Sequence, residues 1–315
     1  MLIQTMNAGF SLSARRCLAA LVTTVLSTAA SACPASRPLS VVVPYPTGGS
    51  LDATSRLLAA AVSERLGREL IVRNVPGASG AIGAREAMAA PRDGCTVLVG
   101  AINTLVLVPM LNAQAGFGIG DFRPLAKVGH TEMAVIAAAT VPVAGLSDLA
   151  AHTRAIGRPL NVGHPGNETV QALALDLLEE RVHAGLVPVP YAGSARMVSD
   201  LLGGHLDLAV VALPVAMPLL RQQRIRILGS FTPGEGFELD SWSGWFVAAG
   251  VAVSATTALE AALREALRDE DVQRALLRLG APTPRRGEQE RFAEDVRRSS
   301  QRYARVLGAT RRTAP

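Results

Sequence analysis

Short apolar runs alternate with amphipathic stretches along this chain, and the alternation predicts its architecture. Val41, Val42 and Val43 form a β-branched run that reads as a buried strand. Pro44-Tyr-Pro-Thr-Gly-Gly-Ser50 breaks it, and an amphipathic helix is expected over 51–66, with Leu51, Leu57, Leu58, Ala61, Val62 and Leu66 on one face and Gly67 closing it. A strand over 70–73, a second glycine-rich turn from Asn74 to Gly80, a helix over 82–89 and a strand over 95–99 follow. Residues 128–139 make a long apolar run interrupted at 130–132. The opening design then recurs: a strand over 160–162, the polar loop 163–169, and a helix over 168–183 for which Asn167 is the expected N-cap. Strands over 187–189, 207–211 and 242–248, a helix over 195–202 and three C-terminal helices over 257–268, 270–279 and 288–306 complete the pattern. Strand and helix in alternation predict an α/β fold with mostly parallel strands.

At 315 residues the chain has room for two domains. Only 4% of it is aromatic, which argues against base-stacking platforms. The formal net charge of +5 rests on scattered arginines, and Arg285-Arg286, Arg297-Arg298 and Arg311-Arg312 read as solvated helix faces and a tail; no nucleic-acid partner is expected.

The first 32 residues read as an export signal. Arg15-Arg16 supply the positive region, residues 17–28 the short apolar stretch, and Ala30-Ser31-Ala32 a small-x-small cleavage site. A mature protein outside the cytoplasm, starting near Cys33, is expected. Cys33 then has two fates, lipidation or a bond to Cys95; Ala30 stands where a lipoprotein signal usually has Leu, which makes lipidation the minority reading.

Two strand–loop–helix units in different halves of the chain each present a polar glycine loop. Helix N-termini expose unpaired N–H groups and favour anions, and ligands of open α/β sheets bind beyond strand C-terminal ends. In an exported chain this arrangement suggests a clamshell that closes by hinge motion.

The same segments resemble the Bug family of periplasmic solute-binding proteins, receptors of tripartite tricarboxylate transporter systems. They are Val43-Pro-Tyr-Pro-Thr-Gly-Gly-Ser-Leu-Asp52, Asn74-Val-Pro-Gly-Ala-Ser-Gly-Ala-Ile-Gly83, Asp93-Gly-Cys-Thr-Val-Leu-Val-Gly100, Leu160-Asn-Val-Gly-His-Pro-Gly166, Val189-Pro-Tyr-Ala-Gly-Ser-Ala195, Asp200-Leu-Leu-Gly-Gly-His-Leu-Asp207 and Ser241-Trp-Ser-Gly-Trp-Phe246. The resemblance implies a type II periplasmic-binding-protein fold, two α/β domains with a ligand cleft between them, divided here as 33–134 plus 249–315 and 135–248. It implies a small carboxylate ligand, membrane transporter subunits as partners, no cofactor, and a monomer. Mapped onto this chain, the ligand site is Tyr45, Thr47, Gly48, Gly49, Ser50 and Asp52 in the first domain. In the second it is Gly163, His164, Gly166, Asn167, Glu168 and Thr169, supported by Tyr191, Gly193 and Ser194. The chain departs from the family at His164 and Pro165, where small hydroxyl residues are usual, at Glu168, Ala172, Val211 and Ala212, and in a shorter segment between 230 and 236.

Several residues carry two readings. Asp52 is a helix-start carboxylate by its position and a pocket residue by the resemblance; for Glu168 the helix-start reading leads. With both in the cleft, a ligand bearing a carboxylate and a donor group is expected. His164 either titrates or bonds its own turn. Asn103, with Thr104 beside it, either offers its amide to the ligand or caps a turn; Trp242 and Trp245 read as core. Ser50 lacks a nucleophile elbow, the five histidines lack metal-ligand spacing, and Gly48-Gly49 completes no nucleotide fingerprint, so no enzyme is expected. The alternative use of the same cleft is as the ligand-sensing subunit of a signalling receptor.

Overall fold

Val41, Val42 and Val43 are all buried because their strand is covered on both faces. In β1 (Leu39–Val43), Val42 packs into one apolar cluster while Val41 and Val43 pack into another. The computed structural model describes residues 33–130, 132–231, 239, 241–281, 283–284 and 287–309. The export signal, Arg285-Arg286, Arg311-Arg312 and most of the shortened segment after Ser230 lie outside the described residues.

β1 pairs in parallel with β2 (Leu70–Asn74) on one side and β3 (Thr96–Ala101) on the other. Beyond β3 the sheet continues antiparallel, with β10 (Trp242–Ala248) and then β4 (Phe122–His130). The second sheet repeats this plan. β6 (Leu160–His164) lies parallel between β7 (Leu186–Pro190) and β8 (Leu208–Ala212), and antiparallel β5 (Met133–Ala138) and β9 (Ile225–Ser230) complete it. The chain crosses from β4 to β5 and returns from β9 to β10, so in each sheet the fifth strand sends a crossing and the fourth receives one. The result is an α/β fold of two sheet-bearing lobes.

The strand Trp242–Ala248 was expected in the second domain and pairs in the first sheet instead. Its burial at every position suits an inner strand of either sheet, and only pairing distinguishes them. Met133 and Ala134, expected in the first domain, pair with Ala212 and Val211 of β8.

The helices α1 (Ser50–Leu66), α2 (Ala81–Ala89), α5 (Val170–Val182) and α6 (Ser194–Leu202) follow parallel strands. Gly67 ends α1 in the left-handed region at φ 59. Thr169, not Asn167, caps α5: its hydroxyl accepts from the amide of Ala172 at 3.2 Å. The helices α3 (Val108–Leu111) and α4 (Leu149–Ile156) are shorter. α7 (Leu213–Arg221) and β9 were not expected; Pro214 and Pro218 disguise the first. α8 (Thr257–Arg268), α9 (Glu270–Arg278) and α10 (Glu288–Ala309) end the described chain. Trp242 and Trp245 are core residues, the indole of Trp242 donating to Ser299 Oγ at 2.8 Å.

Candidate functional site

Six parallel strands point their C-terminal ends at one cavity of about 180 Å³. β1 delivers Pro44 to Thr47 and Gly49 to Leu51, β2 delivers Gly77 to Gly80, and β3 delivers Ala101 and Asn103. From the other lobe β6 delivers Pro165, Gly166 and Thr169, β7 delivers Tyr191 to Ala195, and β8 delivers Ala212; Gln171 of α5 and Ser241 of the return crossing complete the wall. This is where ligands of open α/β sheets bind.

None of these lining residues is Asp, Glu, Lys, Arg or His. The polarity comes from hydroxyls, two side-chain amides and backbone. α1 and α6 both begin at the wall, from opposite lobes, and neither has a side-chain cap on its first turn. Their leading N–H groups are therefore open to an anion. The loop pair anticipated from sequence was α1 with α5, but Thr169 and Asn103 already cap α5, and α6 supplies the second free terminus.

Ten of the sequence-derived site residues line the cavity: Tyr45, Thr47, Gly49, Ser50, Asn103, Gly166, Thr169, Tyr191, Gly193 and Ser194. Six do not: Gly48, Asp52, Gly163, His164, Asn167 and Glu168. Asp52 is only 3% exposed and shapes the loop from behind. Its carboxylate accepts from the Gly48 amide, Arg56 Nε and Asn74 Nδ2, each at 2.9 Å. Burial by itself would raise its pKa; the Arg56 hydrogen bond, then those of Gly48 and Asn74, and the Arg56 charge outweigh that and hold it below the usual carboxylate range. With this carboxylate committed, the expectation of a donor group on the ligand loses its support.

A depressed carboxyl pKa contributes stability that is present above the unfolded-state value, near 3.9, and is lost as pH falls through the folded-state value. Urea unfolding of wild type and Asp52→Asn should therefore show a gap in stability at pH 7 that narrows towards pH 3. A gap of constant size would contradict this role.

His164 is 1% exposed, and its Nδ1–H donates to the Gly166 carbonyl at 2.9 Å. It holds its own turn, the second of its two readings. Gly163 is a packing glycine: a Cβ there would lie 2.7 Å from Met197 of α6 and Leu206. Gly48 lends its amide to Asp52, and Asn167 is exposed. Glu168 sits at the cleft edge and accepts a short hydrogen bond from Ser79 Oγ in the opposite lobe. Asn103 does face the cavity, and its amide also spans the cleft. Its Oδ1 accepts from the Val170 amide at 2.9 Å, and its Nδ2 donates to Gln171 Oε1 at 3.2 Å.

The Tyr45 hydroxyl bonds Thr104 Oγ1 at 2.6 Å, and burial pushes its phenol up to about 12 against the downward pull of that partner. The Tyr191 hydroxyl donates to Asp200 at 2.8 Å; burial first, and then Asp200, raise its pKa. Both rings stay neutral at ordinary pH.

Sequence reasoning missed the Gly77–Gly80 loop as part of the wall, though its Pro-Gly-x-Ser-Gly turn was visible. Gly80, at φ 100, lies where a Cβ would meet Thr104 Oγ1 at 2.6 Å.

Residues 54–308 match the model of the tripartite tricarboxylate transporter family receptor. The chain belongs to this family. A relative from Pseudomonas sp. (strain P51), the UPF0065 protein in the tcbD-tcbE intergenic region, is 29% identical over 93% of each chain. MatC (Rpa3494) from Rhodopseudomonas palustris, solved with bound malate, is 26% identical with a TM-score of 0.78, covering 86% of this chain and 99% of that one. R. palustris Rpa4515 with adipate is 26% identical with a TM-score of 0.81, covering 87% and 97%. With this membership the two-lobed architecture is a type II periplasmic-binding-protein fold, and the receptor is periplasmic. Among the described residues there is no group of three or more His, Cys, Asp or Glu that could hold a metal ion, and no helix is long and apolar enough to cross a membrane.

Proposed function

We propose that this receptor captures a small carboxylate in the cavity and delivers it to the membrane subunits of a tripartite tricarboxylate transporter. The observation that carries the reading is the pair of uncapped helix N-termini, α1 and α6, opening from opposite lobes onto one cavity with no Asp, Glu, Lys, Arg or His in its wall. Such a wall holds an anion by N–H groups and hydroxyls, without a counter-cation to bury. The malate and adipate complexes of the relatives support this ligand class. The contacts are assigned to Tyr45, Thr47, Gly49, Ser50, Asn103, Gly166, Thr169, Tyr191, Gly193 and Ser194. The protein acts as a monomeric binder, not an enzyme, after residues 1–32 are removed.

A thermal-shift and calorimetry panel of mono-, di- and tricarboxylates tests it. Ligand at 100 times its dissociation constant should stabilise the fold by about 2.7 kcal/mol. A panel without a hit would overturn the reading.

Gly193→Ala should weaken binding of any hit by about tenfold or more. Its φ of 153 favours glycine, and an added Cβ would sit 3.2 Å from Pro46 of the facing lobe. Unchanged affinity in calorimetry would remove the α6 N-terminus from the site.

A further inference from the structure

We infer that the two lobes carry a ligand-independent latch, Ser79 with Glu168 and Asn103 with the first turn of α5, which holds the free receptor shut and must open for loading. The inference rests on the two-lobed binder proposed above and adds a residue-level account of its closure.

Each bond in the latch joins protein to protein, so none needs a ligand atom to form. Asn103 acts as a cap supplied in trans: its Oδ1 takes the Val170 N–H, a helix-terminal donor that a residue of the same segment would ordinarily satisfy. Its Nδ2 engages Gln171, so both ends of one amide are used on α5. The strand that places it is β3, through a single wide helical turn over Asn103–Leu107.

The second point of the latch is a strained one. Gly77, Ala78, Ser79 and Gly80 have φ values of 125, 45, 51 and 100, and two of these four are not glycine. Left-handed Ala and Ser are uncommon and cost free energy, so something must favour this loop conformation. The Ser79 hydroxyl meets the Glu168 carboxylate across the cleft, and a hydrogen bond to an ionised acceptor is stronger than a neutral one.

The lobes are also cut to come this close. A Cβ on Gly166 would lie 3.0 Å from Ser79 Oγ, and one on Gly193 3.2 Å from Pro46 Cγ, so glycine stands in the second lobe at both contacts. Closure therefore rests on fitted protein surfaces as well as on hydrogen bonds. Loading is then limited by the open fraction, and weakening the latch should raise the association rate.

The test uses the mature, dialysed protein with nitroxide labels on A60C in α1 and A155C in α4, both exposed positions on opposite lobes. Double electron–electron resonance without ligand should give one short distance for the otherwise wild-type protein. Combining Glu168→Ala with Asn103→Ala should raise the long-distance population about tenfold or more. Glu168→Gln, which keeps an acceptor for Ser79, should remain largely short. A wild-type chain that is mainly long without ligand, or a double variant with the wild-type distribution, would overturn the latch. No carboxylate enters this measurement. Its failure removes the latch and leaves the carboxylate receptor standing, whereas an empty calorimetry panel does the reverse.

Discussion

Glu288→Ala is expected to cost the folded state roughly 3–5 kcal/mol, the usual range for stranding a buried charge. Lys127 lies near the end of β4, with its side chain only 3% exposed, and its ammonium sits 3.3 Å from Glu288 Oε2 and 3.0 Å from His130 Nε2. Glu288 is itself 15% exposed and also meets His130 at 3.2 Å. Gln289, the next residue of α10, clamps the same point of β4 by its backbone, accepting from the Lys127 amide at 3.0 Å and donating to its carbonyl at 2.6 Å. Removing the carboxylate leaves an ammonium with little water around it. Replacing both partners, Lys127→Met with Glu288→Met, removes the charge problem altogether and should recover most of the loss. Urea unfolding of the single and double variants measures the difference. A single variant no worse than the double would mean that Lys127 reaches solvent and that the pair is a surface contact. The site matters for function because β4 is the strand from which the chain crosses into the second lobe, so this cluster fixes one side of the crossing.

Much of the fold was legible because its signals are local. Val41 to Val43, the Trp242–Ala248 run and the Gly67 stop each declare themselves within a few residues. What failed was either masked or non-local. Pro214 and Pro218 hide α7, since proline argues against a helix unless it stands at the start or the helix tolerates a kink. The sheet that receives Trp242–Ala248 is a matter of pairing over more than a hundred residues, which no local pattern contains.

The site divides the same way. The turn chemistry of 44–51, 163–169 and 191–195 was readable, and those loops do meet at the cavity. The roles inside them were not. Asp52 looks like a pocket carboxylate until Asn74, far away in sequence, is seen to donate to it. His164 looks like a ligand or a switch until its ring turns out to be buried against Gly166. Glu168 looks like a helix-start residue, yet its partner Ser79 lies 89 positions earlier in the other lobe. In each case the chemistry of the side chain was visible, and its partner was set by tertiary geometry.

Cys33→Ser with Cys95→Ser is expected to lower stability by roughly 4 kcal/mol, the chain-entropy value for a loop of this length. The two cysteines are disulfide-bonded, 62 positions apart, with Cα atoms 5.1 Å apart. The bond ties the first described residue to the start of β3, and the local contacts reinforce it. The Cys33 amide donates to the Asp93 carbonyl at 2.7 Å, Arg68 Nη2 reaches Cys33 Sγ at 2.6 Å, and the Cys95 amide donates to Asp93 Oδ1 at 2.8 Å. Because the native ends are already held near one another by these contacts, closing the loop should introduce little distortion, and most of the entropic gain should survive. Reductant should move wild type to the urea midpoint of the double variant and leave the variant unchanged. If reductant shifts neither, the bond contributes nothing to stability. The same sulfur decides between the two fates open to Cys33, since a thiol in a disulfide cannot also carry a thioether lipid. Intact mass of the mature protein is therefore expected to match the oxidised chain with no acyl addition, and an added acyl mass would show that Cys33 is not held in the bond to Cys95.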